Sequence, residues 1–278
     1  MGRSLTYPKT STNTLHRMQD RGKSQDWSSS MLISNNRIGT YDLREIHGII
    51  NATPVLHISF NSLDPDDPFP TTLPMIGTMA SWDYPSADLG EPLDCYLHGY
   101  VSSGIMKRAR SATEGKGVPT TIAATKVDGI VLSLTPNSHS YNYRSAILFG
   151  YGQLVENPGE KLWAMEKVTN SVVPGRWEET RTPPDGAEMA STVIMRVKVI
   201  SGSGKIRTGG PGDEKKDTEN VAVTQRVWTG VLPVWETVGD PVNGGAGKLS
   251  EVPKHIAEFR QQMNDSHCAY AKESALMN

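Results

Sequence analysis

Short runs of alternating residues, broken by turn-forming clusters, recur along this chain and leave it few ways to fold. The clearest is Thr192 to Ser201, where Val193, Met195, Val197 and Val199 share one face and Arg196 and Lys198 the other. A period of two marks a strand with one buried side. Val55 to Asn61, Thr71 to Met79 and Cys95 to Tyr100 also read as strands, and Asn142 to Glu156 as a long one. Thr120–Val127 and Ile130–Thr135 flank Asp128-Gly129, a dipeptide that favours a tight hairpin. A Gly-rich charged loop from Gly202 to Glu219 precedes a last strand, Val223 to Val234, with Trp228 in it and Trp235 after it.

Helical signals are fewer. Leu43, Ile46 and Ile50 are spaced for a helix over Tyr41–Asn51, with Asp42 and Glu45 forming a capping-type start. Asn157 and Pro158 begin another, from about Gly159 to Asn170. After Gly247, Val252, Ile256, Phe259 and Met263 make an apolar stripe suited to docking on the body or on a partner subunit. Many short strands with few helices predict a mainly β fold, a closed or nearly closed antiparallel barrel. Three divisions are expected: an irregular extension over 1–40, a barrel domain over 41–240, and a tail over 241–278 carrying the amphipathic helix.

The 278 residues, 37% hydrophobic and 21% charged, are ordinary for a soluble globular chain. A net charge of −2 argues against a general nucleic-acid surface. No apolar run approaches the roughly 18 residues of a membrane span, and the start has no signal-peptide core. Met1-Gly2 with Thr6 fits a myristoylation pattern too short to carry weight. The absence of acids before Asp20 is a faint presequence feature, opposed by Pro8. A cytoplasmic protein is expected. Cys95 and Cys268 are expected to be free thiols, and the sequon Asn51-Ala-Thr53 lacks a secreted context. Asp64-Pro-Asp-Asp-Pro68 reads as a solvated turn rather than a metal site, and the seven histidines show no HxxxH spacing. Gly150-Tyr-Gly152 and Gly202-Ser-Gly204 both fail the dinucleotide fingerprint, which excludes a Rossmann reading.

The chemistry concentrates between Cys95 and Arg108. Here a strand turns at Val101, Ser102 and Ser103 into a helix carrying Lys107. Helix-start N–H groups, serine hydroxyls and a lysine one turn later suit a phosphate monoester. A plain capped helix with a solvated lysine is the competing reading. His98 ends the strand. It and Cys95 do not form a nucleophilic pair, and His47 and His57 read as structural.

Thr71-Thr-Leu-Pro-Met75, His98-Gly99, Gly104, Lys107, Tyr143-Arg144-Ser145, Phe149-Gly150 and Glu160-Lys161 follow one another in an order and spacing that resembles a known family. Over roughly residues 41 to 235 the chain resembles the pyridoxamine-5′-phosphate oxidase-like flavoproteins, in particular their 5-nitroimidazole-resistance branch. Ser-Ser-Gly-Ile-Met before the lysine departs from that pattern, as do the long N-terminal stretch and the tail. The resemblance implies a six-stranded split barrel that dimerises and binds FMN. Ser102, Ser103 and Lys107 would cradle the phosphate, with Arg144 and Ser145 arriving from a neighbouring strand. Thr72, Pro74 and Met75 would offer backbone to the ring edge, Pro74 marking an edge or a bulge. His98, beside the flavin, would donate a proton to a small organic substrate in two-electron chemistry. Gly99 would allow a close backbone approach.

Two rivals stay open. The chain could be a non-catalytic flavin- or haem-binding module, with His98 or His139 as axial ligand, or a structural homodimer with a degenerate site. Residues 23–39 show no period. They read either as a flexible insertion or as a translated retained intron. Gly-Lys-Ser can be encoded by GGTAAGT, which contains a splice donor, and Ile38-Gly39 by ATAGGT, which contains an acceptor. A transcript in which every spliced message keeps these codons would end the second reading.

Overall fold

The computed structural model describes residues 5–8, 37–62, 64, 66–101, 103–111, 116–249 and 251–277, without the side chains of 37, 38 and 111. Most of segment 23–39 therefore lies outside the described residues, as does Ser102. In chain order the elements are β1 (Arg37–Thr40), α1 (Leu43–Asn51), β2 (Leu56–Phe60), β3 (Thr71–Ala80), β4 (Asp94–Tyr100) and α2 (Gly104–Ser111). Then come β5 (Val118–Leu132), a 3-10 turn (Pro136–Ser138), β6 (Ser140–Leu154), α3 (Pro158–Val172), α4 (Gly186–Ser191) and β7 (Thr192–Arg207). Short helices α5 (Lys215–Thr218) and α6 (Val221–Thr224), strand β8 (Gly230–Pro233) and helix α7 (Lys254–Leu276) complete the chain. The described residues group into two compact units, one of 5–8, 39–125 and 145–204, the other of 37–38, 126–144 and 205–277. The expected 41–240 body thus contributes to both.

The first unit holds the barrel. Its strands follow the order β7-β4-β3-β2-β5-β6, and a β6–β7 pairing closes the ring. This is the mainly β, six-stranded antiparallel barrel that the alternation predicts. Leu56, Ile58, Leu97, Ile122, Leu148 and Met195 are fully buried and fill it. Helix α1 starts where expected, Asp42 accepting the Glu45 N–H at 3.0 Å. Helix α3 starts at Asn157, whose side chain accepts from Gly159 and Glu160. Its Ala164 and Val168 pack on Tyr96 and Ile194. Glu160 Oε1 accepts the Tyr96 hydroxyl at 2.8 Å and Arg196 Nη1 at 3.2 Å, while Lys161 donates to the Met189 carbonyl at 2.6 Å. The Glu160-Lys161 pair therefore fastens α3 and α4 to the barrel.

Asp128-Gly129 forms no hairpin. β5 runs straight through it, and the chain turns at Pro136–Ser138 instead. Tertiary bonding overrides the local preference: β8 pairs along Gly129–Leu132, and Asp128 accepts the Val234 N–H at 3.0 Å. β7 likewise continues past Ser201 to Arg207. Ser201 and Ser203 are buried there, and buried backbone needs ladder partners that a loop would not supply. The strand expected at Val223–Val234 splits into α6, capped by Asn220, and the short β8.

In the second unit, α7 is longer than its predicted stripe, and its fully buried residues are Ala271 and Ser274. Gly209 N–H and Asn142 Nδ2 both donate to the Ser274 carbonyl, and buried Arg207 bonds Asn142 Oδ1 and the Gly210 carbonyl. Arg144 donates two parallel bonds to Asp128, at 2.9 and 2.8 Å, and its guanidinium lies 3.7 Å over the Tyr270 ring. Both cysteines are free, and burial pushes the Cys95 thiol far up.

Two outcomes follow. Asp128 keeps 5% side-chain exposure, so Arg144→Ala leaves a buried charge uncompensated and should cost about 3–5 kcal/mol. A urea melt showing a loss under about 1 kcal/mol would place the pair among ordinary surface bridges. His47 is fully buried, and burial holds its imidazole below the ordinary value. Nδ1 donates to the Leu89 carbonyl at 2.8 Å, so Nε2 accepts the Tyr7 hydroxyl at 2.6 Å. The folded ring resists protonation while the unfolded one takes a proton near pH 6.5, so its contribution is complete above that pH and lost as pH falls. His47→Gln should flatten the acid limb of stability below about pH 6.5. An unchanged limb would remove His47 as its source.

Candidate functional site

Strand β4 presents two faces. Cys95 and Leu97 point into the barrel, fully buried, while Tyr96, His98 and Tyr100 alternate outward. Tyr96 is covered by α3, its ring edge-on to Trp163 at 5.3 Å. His98 is half-buried, its ring 6.4 Å from that of the exposed Tyr100. Burial lowers its affinity for a proton, so at neutral pH the imidazole is uncharged.

Beyond Tyr100 the chain turns. Ser103 N–H donates to the Tyr100 carbonyl at 3.0 Å, and Lys107 N–H to the Ser103 carbonyl at 3.1 Å, setting α2 in place. That helix carries Lys107, Arg108 and Arg110 and no acid. Lys107 is exposed, and Arg110 donates to the Val101 carbonyl at 3.0 Å. The buried Ser103 Oγ and Arg108 Nη1 have no hydrogen-bond partner among the described residues. Two orphaned polar atoms, one at the start of a helix that carries cations and no acid, fit an anion such as a phosphate.

At Gly99 a side chain would meet the packing of the barrel. A Cβ there would lie 2.8 Å from Met106 Cε and 3.0 Å from Met75 Cε, so the space opens onto barrel packing. Its small size leaves room for the ends of the Met75 and Met106 side chains.

Strand β3 changes character halfway. β4 pairs with it from Ile76 to Ala80, opposite His98 to Asp94. Thr71–Met75 pair with β2. Pro74 therefore stands within the sheet, in a half-strand that is an edge on its β4 side among the described pairings, which accommodates its missing N–H. Thr72 and Pro74 are exposed outward; Met75 is buried inward and offers only its backbone. Across the outer face, Ser59 stands between Thr72 and Thr121, and His57 between Pro74 and Ala123. The Ser59 and Thr72 hydroxyls are hydrogen-bonded at 2.9 Å.

The expected residues thus fall into groups. Thr72, Pro74, the Met75 backbone, His98, Ser103 and Lys107 belong to β3, β4 and α2 of the first unit. Ser145 is also in that unit but buried in β6. Arg144 belongs to the second unit, where its fork is occupied by Asp128. His139, the other haem-ligand candidate, is exposed, and its Nδ1 accepts the Ser133 N–H at 3.1 Å. Sequence reading left out Ser59, Thr121, Arg108 and Arg110, and took His57 as structural. The buried Leu56, Ile58 and Phe60 of β2 carry the signal that places His57 and Ser59 outward. Among the described residues no group of three or more His, Cys, Asp or Glu is placed to hold a metal, and no helix is long and apolar enough to cross a membrane.

Solved structures share this fold. The FAD and heme binding protein from Mycobacterium smegmatis aligns with a TM-score of 0.64 at 20% identity, over 80% of this chain and 97% of that one. The flavocytochrome Anf3 from Azotobacter vinelandii aligns with a TM-score of 0.62 at 23% identity, over 80% and 92%. No curated protein sequence matches. The family model described as pyridoxamine 5′-phosphate oxidase matches residues 42–206, which run from the start of α1 to the penultimate residue of β7, and the chain belongs to that family.

Proposed function

We propose that the outer face of β3, with β4 and the start of α2, binds a flavin nucleotide, FMN, and that the loaded protein is an oxidoreductase acting on a small organic substrate. The observation that carries this reading is the half-paired β3. Thr71–Met75 present backbone on the side that β4 has left, beside α2, which carries Lys107 one turn from its start, Arg108 and Arg110 in its last turn, and no acid. A flavin needs both features: a hydrogen-bonding edge for its ring and a cationic cradle for its phosphate. Thr72, Pro74 and Met75 would meet the ring edge, while Ser103, Lys107 and Arg108 would hold the phosphate. Bound flavin would supply two-electron redox chemistry. His98 would then hydrogen-bond substrate as a neutral imidazole, and any protonic role would titrate below the ordinary histidine value.

The names of the two solved structures favour a flavin, and they also bring in haem. A non-catalytic flavin- or haem-binding module is therefore the second reading, with the neutral, half-buried His98 as the ligand of the first unit. The visible spectrum of the purified protein separates the two. A band near about 450 nm marks flavin, a Soret band near about 400 nm marks haem, and neither band contradicts both readings.

Lys107→Ala should weaken FMN binding by about 1.5–3 kcal/mol, the worth of a charge-assisted bond. Unchanged affinity by fluorescence titration would remove α2 from the site. His98→Ala should keep the flavin and lower turnover by about 10²-fold, with the parent's pH–rate limb below the ordinary imidazole value. A variant that reoxidises with a productive acceptor at the parent's rate would make His98 structural.

A cytoplasmic symmetric homodimer is part of the same proposal. Trp228 and Trp235 keep 62% and 38% of their surface exposed, more than a lone chain gains from showing. Light scattering should give twice the 30.4 kDa chain mass. A flavin-loaded monomer at micromolar concentration would refute the dimer.

A further inference from the structure

A cleft of about 650 Å³ opens on the first unit between the ends of β2 and β5 and the middle of β6 and β7. Phe149 and Tyr151 of β6, Ile200 of β7, Thr121 of β5, and Ser59 and Asn61 at the end of β2 line it. Gly150 forms part of its floor. A Cβ there would fall 2.3 Å from the Lys198 carbonyl oxygen, so the β6–β7 backbone contact fixes the floor's shape. The Phe149-Gly150 pair thus has a physical role, one residue walling the cleft and the other closing the barrel beneath it.

The chemistry of the lining is specific. Among the described residues, no lysine, arginine, histidine, aspartate or glutamate takes part, nor any cysteine or methionine. A phosphate would find no cation here, and haem would find neither an axial ligand nor a partner for its propionates. Aromatic rings and an isoleucine offer stacking surface, while the hydroxyls of Ser59, Thr121 and Tyr151 and the amide of Asn61 offer hydrogen bonds to a neutral polar atom. The volume lies in the range of small-molecule pockets. Ser59 belongs both to this cleft and, through its bond to Thr72, to the β3 face.

We propose that this cleft is a second ligand site, which takes an uncharged, planar aromatic compound of two or three fused rings. Binding there does not require the flavin. Only the further step, that such a compound is the redox substrate, rests on the flavin reading.

Menadione, an uncharged naphthoquinone, is a suitable probe, with naphthoquinone-2-sulfonate as its charged counterpart. Calorimetric titration of the full chain, with and without bound flavin, should show one saturable menadione site per chain and at least about tenfold weaker sulfonate binding, because a charge entering this lining loses water without gaining a partner. Ile200 is 55% exposed, so Ile200→Glu should fold normally and weaken menadione at least about tenfold. Equal affinity for the two probes, no saturable binding, or an unaffected Ile200→Glu variant would overturn the proposal. So would an Ile200→Glu variant that loses its dimer while binding menadione as before, which would assign the cleft to a second copy of the chain. Saturable binding in a protein that takes no flavin would uphold the site while removing the flavin reading.

Discussion

A sheet of antiparallel strands ends in two rows of unpaired backbone groups unless its first and last strands meet. Here β6 and β7 meet, and the approach is close enough that Gly150 admits no side chain against the Lys198 carbonyl. Closure gives every strand of the first unit an inside and an outside. The inside is filled by Leu56, Ile58, Leu97, Ile122, Leu148 and Met195. Part of the outside is covered by α3 over Tyr96 and Ile194. The face that carries Thr72, Pro74 and His57 is exposed.

Function follows from where the covering stops. β4 leaves β3 at Ile76, turns at Tyr100, and sends a cationic helix from the point where β3 loses its second partner. One event in the chain path produces both the half-paired strand and the cationic helix that follows it. Gly99 permits it by yielding its space to Met75 and Met106.

Much of this was legible in the sequence because it rests on local periodicity. The alternation of β2, β3, β4 and β7 and the caps at Asp42 and Asn157 are short-range signals, and the structure carries them where expected. The order of motifs from Thr71 to Lys161 pointed to the family. What was hidden depends on distant partners. Asp128-Gly129 reads as a turn until β8 and Arg144 arrive from elsewhere in the chain. Arg144 reads as a phosphate ligand until Asp128 takes its fork. Val223–Val234 has strand-forming residues but only a four-residue pairing with β5 to hold them. The uncharged cleft was invisible because its lining comes from four strands that only barrel closure assembles.

The central claim is that the exposed half of β3 and the start of α2 receive the flavin together. Amide hydrogen exchange with and without FMN tests it most directly, because it reads backbone groups residue by residue. The account predicts that added FMN slows exchange at amides within Thr71–Met75 and Ser103–Lys107. FMN that binds while protection appears only elsewhere, with both segments unchanged, would contradict it.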